Sequence, residues 1–208
     1  HDVLRRGAYI MQNDLVEFEA ALAEYIGVKH VIGTADGTMA ILTSLLALNL
    51  EPGFEAIVPS HTFVATASAV HYAGGIPILA DCGRDHLISL ESIELLVSDK
   101  TRVILPVQLN GRVANMTPIV ALAKKYKLHL IEDSCQALGA KYKDQMAGTF
   151  GDAGAFSFYP SKTLGAFGDA GAMITSSDEI ADNTIVGDDL ANDIDVVTTG
   201  TVEAKALS

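Results

Sequence analysis

The sequence predicts an α/β fold built on a mostly parallel sheet with helices covering both faces. Three observations carry that reading. Short, near-continuous apolar runs alternate with stretches of helical periodicity. Glycine is plentiful, 18 residues, which suits a fold with many tight strand-to-helix turns. A chain of 208 residues is enough for one sizeable domain and short for two.

Taken in order, the first element is a helix after Asn13. Leu15, Phe18, Leu22, Tyr25 and Ile26 share one helical face, Asn13 can cap the start, and Gly27 can close the end. Strands are predicted at HVIGT (30–34), EAIVP (55–59), IPILAD (76–81), RVILPV (102–107) and LHLIED (128–133). Helices are predicted between them at 38–49, 63–73, 89–97 and 117–126, with turns at Pro52-Gly53 and Gly74-Gly75. Further on, AGAFSF and a second strand-like run flank a glycine-rich loop that contains Lys162. From about Asp182 the chain turns acidic and threonine-rich, with little periodicity, and reads as a tail.

The net charge of −12 disfavours nucleic acid, whose phosphates need clustered Lys and Arg. The densest basic group, Lys124, Lys125 and Lys127, reads as a solvated helix face. Cys82 and Cys135 stand in apolar stretches without metal-site spacing and read as buried, reduced thiols. No metal site is expected. The opening HDVLRRGAYI lacks the long apolar core of a signal peptide, and no run nears the roughly 18 apolar residues of a membrane span. Cytoplasm is the default location.

In parallel sheets ligands gather beyond the carboxyl ends of the strands. Residues that follow strands here are Asp36 to Thr38, Phe63, Gln108 and Asp133. Gly37 and Thr38 open a long apolar helix, where free backbone N–H groups suit a phosphate. Phe63 is equally compatible with a core position, and Asp133 with capping a following helix, one turn of which would carry Gln136. Lys162 follows a Tyr-Pro-Ser at a strand-to-loop junction. It is not part of G-x-x-x-x-G-K-[ST], so a P-loop is not supported.

These segments acquire a joint meaning through their wording and order. EFEAALAEYIGVKHVIG, DGTMAI, VPSHTFVATASAV, PILADC, PVQLNGRVANM, IEDSCQALGA and AGTFGDAGAFSFYPSKTLGAFGDAGAMIT together resemble the DegT/DnrJ/EryC1/StrS family of pyridoxal-phosphate-dependent nucleotide-sugar aminotransferases. The likeness runs from about residue 4 to 181. It implies the large domain of the type I aminotransferase fold, with a seven-stranded sheet, over residues 1–181. Residues 182–208 then form a divergent tail, and the family's smaller C-terminal domain is missing.

The resemblance also implies roles. Lys162 forms the Schiff base with pyridoxal 5'-phosphate, and Asp133 pairs with the pyridine nitrogen. Gln136 lies next to the phenolic oxygen, Phe63 stacks on the ring, and Gly37, Thr38 and Ser157 hold the phosphate. Lys162 and Asp133 are thus the catalytic pair. A related branch carries His at the Schiff-base position and removes a sugar hydroxyl, so Lys162 points to transamination. The implied partners are a nucleotide-linked keto-sugar, an amino-acid donor (usually glutamate) and a second subunit in a homodimer with shared active sites.

Three departures stand out. Asp36 replaces a frequent Ser, and a carboxylate beside a phosphate is repelled unless it turns away to cap the helix. Gln108-Leu109-Asn110 replaces a usual His-x-Tyr and is expected to alter substrate contacts. The third is the absent domain, which keeps open an alternative: a catalytically incompetent chain that retains the fold. A Rossmann-type dinucleotide enzyme is disfavoured because no G-x-G-x-x-G follows the first strand.

Overall fold

The computed structural model describes residues 2–7 and 12–184, together with the backbone of 194–197 and 201–204. Its elements are α1 (Asp2–Arg6), α2 (Asn13–Ile26), β1 (His30–Thr34), α3 (Gly37–Leu46), β2 (Glu55–Pro59), α4 (Val64–Tyr72), β3 (Ile76–Ala80), α5 (Leu90–Leu96) and β4 (Thr101–Ile104). There follow α6 (Met116–Tyr126), β5 (His129–Asp133), the small hairpin β6 (Lys141–Tyr142) and β7 (Gln145–Met146), β8 (Ala153–Ser157), β9 (Gly171–Thr175) and α7 (Asp178–Asp182). Among the described residues, strands β10 (Ile194–Val197) and β11 (Thr201–Ala204) pair with each other. The rest of the expected tail over 182–208, beyond these strands and residue 184, lies outside the described residues.

Seven strands form one sheet in the order β1-β9-β8-β5-β4-β2-β3. Every pairing is parallel except those of β9, which runs against both β8 and β1. The mostly parallel, seven-stranded sheet is therefore as expected.

Strand periodicity sends alternate residues to two separate cores. Ala56, Val58, Val103, Leu105 and Ile131 pack with Ile41, Leu45 and Val70 of α3 and α4. Their neighbours Ile57, Ile104 and Leu130 pack on the other face with Ile93, Met116 and Ile119 of α5 and α6. Burial on both faces is why these strands read as continuous apolar runs rather than alternating ones. A third cluster lies under α2, where Leu22 and Ile26 meet Val31, Phe156 and Ile174, and Phe18 meets Phe158 edge-on at 5.3 Å.

Several expectations shift locally. Asn13 does not cap α2: it is the first helical residue, Gln12 holds the cap position without a side-chain cap bond, and Tyr25 is exposed. Gly27 does close the helix, in left-handed geometry (φ 84°), with its N–H on the Ala23 carbonyl at 2.8 Å. The run 102–107 is a strand only to Ile104, although Leu105 still bonds Ile57 and Val107 bridges Asp133. Both cysteines are free, but each is only partly buried. Lys124, Lys125 and Lys127 are exposed, and Lys125 reaches Glu94 at 2.7 Å. Among the described residues no helix is long and apolar enough to cross a membrane.

Two tests follow from the packing. A Cβ on Gly154 in β8 would press into the backbone of Gly148, with its Cα at 2.7 Å. Backbone cannot yield as a side-chain tip can, so Gly154→Ala should lower the unfolding free energy by about 2 kcal/mol or more in urea denaturation. At the start of β5, the His129 ring meets Asp152 at 3.2 Å, and that hydrogen bond raises the imidazole above its ordinary 6.5. A raised folded value contributes stability that is full below about 6.5 and fades as pH rises through the folded value. Melting temperature should therefore decline from pH 6 to pH 8, and His129→Gln should flatten that slope.

Candidate active site

At the carboxyl ends of the parallel strands the chain leaves a cleft of about 360 Å³. Gly37, Thr38, Phe63, Asp133, Gln136, Ser157 and Lys162 all line it, although they come from separate stretches of chain. A larger hollow, about 650 Å³, lies by the amino end of β8 and the carboxyl end of β9, between the end of α2 and the β6–β7 hairpin, and contains none of these residues. The chemistry is concentrated in the smaller cleft.

The anionic-ligand end is the start of α3. Asp36 turns its side chain onto the Met39 N–H at 2.8 Å, and its carbonyl accepts from Ala40 at 3.0 Å. The carboxylate is thereby occupied in capping, which answers the repulsion its presence raises. The N–H groups of Gly37 and Thr38 are the first-turn donors that Asp36 leaves free to face a ligand. Gly37 is required here by close approach. A Cβ on it would sit 2.6 Å from the Cys135 sulfur and 2.8 Å from the Ser157 Cβ. That tight seam is what draws α3, the segment after β5 and the end of β8 around one space.

Asp133 ends β5 and is only 6% exposed. Its Oδ2 accepts from the Thr66 hydroxyl at 2.8 Å and its Oδ1 from the Cys135 N–H at 3.2 Å. No helix follows it, so the capping alternative fails: residues 134–139 form turns, and Asp133 organises one of them. Gln136 sits in that turn, and its Oε1 accepts the backbone N–H of Asn110 at 2.8 Å. A backbone N–H can pair only with the amide oxygen, so the Gln136 NH₂ is the half left for the cleft. Burial and the neighbouring Asp133 push the Cys135 thiol well above its usual range, leaving it a neutral wall residue.

Phe63 is not core. It occupies the cap position of α4 and is 68% exposed. Lys162 is half-buried in the loop between β8 and β9. That loop closes on itself through Phe158 N–H to Ala170 (2.7 Å), Ala166 N–H to Phe158 (2.7 Å) and Lys162 N–H to Tyr159 (2.8 Å). A side chain at Gly165 would strike the Pro160 carbonyl carbon at 3.1 Å, so the loop is compact rather than open.

Gln108 is placed differently from expectation. It is completely buried away from the cleft, donating to Glu132 at 2.7 Å and accepting the Ala114 N–H at 2.7 Å. Its substitution for an aromatic heterocycle therefore serves packing under β5, and the segment reaches the cleft only through the Asn110 N–H. Glu132 accepts in addition from Gly148 at 3.0 Å and Phe150 at 2.6 Å. Burial raises its carboxyl above the usual range, and these donors oppose that rise. Glu132 and Thr66 escape the sequence reading. The only cue was a charged residue amid the apolar LHLIED, and for Thr66 the four-residue spacing from Thr62.

Among the described residues no group of three or more His, Cys, Asp or Glu could hold a metal ion. The donor set fits a flat, phosphorylated, cationic ring instead: backbone N–H and hydroxyl donors at one end, a carboxylate at the floor, an aromatic face and an amine.

The fold is that of pyridoxal-phosphate-dependent aminotransferases. The chain belongs to the DegT/DnrJ/EryC1/StrS aminotransferase family, whose pattern matches residues 1–189. It is 44% identical over 179 residues to a UDP-N-acetyl-3-dehydro-α-D-glucosamine 3-aminotransferase of Acidithiobacillus ferrooxidans, covering 86% of this chain and 48% of that protein. Its fold matches S. venezuelae DesV in complex with a ketimine intermediate, with a TM-score of 0.84 and 39% identity over 87% of this chain and 49% of the other. It also matches NtdA of Bacillus subtilis with bound PMP, with a TM-score of 0.82 and 39% identity over 88% of this chain and 41% of the other. The chain spans about half the length of the curated relatives it matches. Aminotransferases of this family depend on pyridoxal phosphate.

The Asp36 cap is open to direct test. Asp36→Ala should destabilise the folded chain by about 1 kcal/mol in thermal or chemical unfolding, and Asp36→Ser should restore most of the loss.

Proposed function

We propose that residues 1–181 bind pyridoxal phosphate and form the cofactor-binding part of an enzyme that moves an amino group from an amino acid to a nucleotide-linked keto-sugar. The observation that carries the reading is the convergence of Gly37, Thr38, Phe63, Asp133, Gln136, Ser157 and Lys162 on one cleft. Bound there, the cofactor supplies an electron-withdrawing ring that stabilises negative charge on a substrate carbon.

Each residue then has a task its surroundings support. The N–H groups of Gly37 and Thr38, with the Thr38 and Ser157 hydroxyls, receive the phosphate. Asp133, anchored at both oxygens, faces the ring nitrogen and favours its protonated form. The Gln136 NH₂ donates to the phenolic oxygen, and the exposed Phe63 ring offers its face. The Lys162 amine would tether the cofactor and, when free, would be the base available to move a proton at the substrate carbon. A lysine at that position, rather than histidine, supports transamination over removal of a hydroxyl.

The substrate class rests on relatives named for UDP-, GDP- and dTDP-linked sugars. Glutamate as donor and a cytoplasmic setting belong to the same proposal. So does a homodimer with shared sites. In its support, Phe63, Val64, Tyr159, Leu164 and Phe167 form an exposed apolar rim at the cleft and its loop, the kind of surface that a partner covers.

The test is an absorbance spectrum of the purified chain with added pyridoxal phosphate, before and after glutamate. A visible cofactor band that glutamate moves toward the near-ultraviolet is the expected result, and Lys162→Ala should abolish the band. A band unchanged in Lys162→Ala would sink the assignment. Absence of any band in the wild-type chain would favour a catalytically incompetent domain that keeps the fold.

A further inference from the structure

The Asp133 carboxylate is supported by a hydroxyl chain running from Thr62 through Thr66. Thr66 Oγ1 donates to Asp133 Oδ2 at 2.8 Å, and Thr62 Oγ1 lies 2.9 Å from Thr66 Oγ1. A hydroxyl has one proton to give. Thr66 gives its proton to the carboxylate, so Thr62 must donate to Thr66, and the chain runs in one direction toward Asp133.

Helix geometry does not require this arrangement. A buried hydroxyl in a helix ordinarily satisfies itself on the carbonyl four residues back. Ser44 does so in α3: it is fully buried, and its hydroxyl donates to the Ala40 carbonyl at 2.8 Å. Thr66, equally buried in α4, instead reaches a residue 67 positions away in sequence. Its backbone N–H bonds the Phe63 carbonyl at 3.2 Å, so the residue that anchors the carboxylate is tied to the one that presents the aromatic ring. With Thr66 on Oδ2 and the Cys135 N–H on Oδ1, each carboxylate oxygen has accepted one donor and keeps a lone pair for the cleft.

We propose that Thr66, backed by Thr62, is a positioning residue that fixes the Asp133 carboxylate for the cofactor's ring nitrogen while the same helix start presents Phe63. This rests on the assignment of Asp133 to that nitrogen. Its test combines cofactor affinity with a signal that needs no cofactor. Pyridoxal phosphate is titrated into wild type, Thr66→Val, Thr66→Ser, Asp133→Ala and the Thr66→Val/Asp133→Ala double variant, with thermal melts to verify folding. Thr66→Val keeps shape and loses the hydroxyl. It should weaken binding about tenfold, the scale of one hydrogen bond to a charged group. Thr66→Ser should stay within about twofold of wild type. On the Asp133→Ala background, Thr66→Val should add no further loss, because its effect passes through the carboxylate.

In the cofactor-free protein, the Asp133 carboxyl carbon resonance should shift in Thr66→Val and return in Thr66→Ser. A full additional loss in the double variant, or a serine no better than valine, would overturn the positioning role. So would an Asp133 resonance indifferent to Thr66→Val, whatever the cofactor does. A wild-type chain that binds no cofactor, yet shows the resonance shift, would instead overturn the cofactor assignment of Asp133 and leave the Thr66 contact standing.

Discussion

Two carboxylates side by side at the end of β5 hold the middle of this molecule together. Consecutive strand residues face opposite layers, so Glu132 and Asp133 enter different environments one peptide apart. Glu132 draws in Gln108 and the backbone of Gly148 and Phe150 on one side. Asp133 draws in α4 through Thr66 on the other. Its backbone meanwhile continues the sheet past β4, bonding the Pro106 carbonyl and the Gln108 N–H. Buried charge is tolerable only where donors surround it, and the loops on both faces supply them.

The cleft inherits its rigidity from that anchoring. Its ligand-facing groups stand at helix starts or strand ends, with only Lys162 and Gln136 carried by turns, and both turns are tied back by hydrogen bonds. The start of α3 abuts Cys135 and Ser157 so closely that only glycine fits at position 37. A chain of net charge −12 repels anions at long range, so a phosphate here must be held by short-range donors. Asp36 shows how a carboxylate can border such a site: its charge is spent on the Met39 N–H.

Within the family fold, the individual character of this chain lies in what surrounds the cleft. Gln108 is a packing residue, not a contact in the cleft. The segment that carries it acts on the cleft through one backbone N–H, from Asn110 in left-handed conformation (φ 55°) onto Gln136. Phe63, Val64, Tyr159, Leu164 and Phe167 leave apolar side chains exposed beside the mouth.

Much of this was legible without coordinates. Apolar runs set the strands because burial on both faces leaves no room for alternation, and helical periodicity set α3 to α6 to within a few residues. The residues that meet in the cleft were legible only in part from strand ends, a cue that also pointed to the buried Gln108, and as a full set only through the resemblance to a family. Caps and ends were less so: Asn13 began a helix instead of capping it, and Asp133 made a turn instead of starting a helix. Only the tertiary structure decided which way neighbouring polar residues faced. It sent Gln108 inward and Phe63 outward, aimed Thr66 at a carboxylate and left Ser44 on its own helix. The physical reason is that local sequence specifies backbone period and polarity. The partner of a buried polar group is whichever group the packed layers bring within about 3 Å, often from a distant part of the chain.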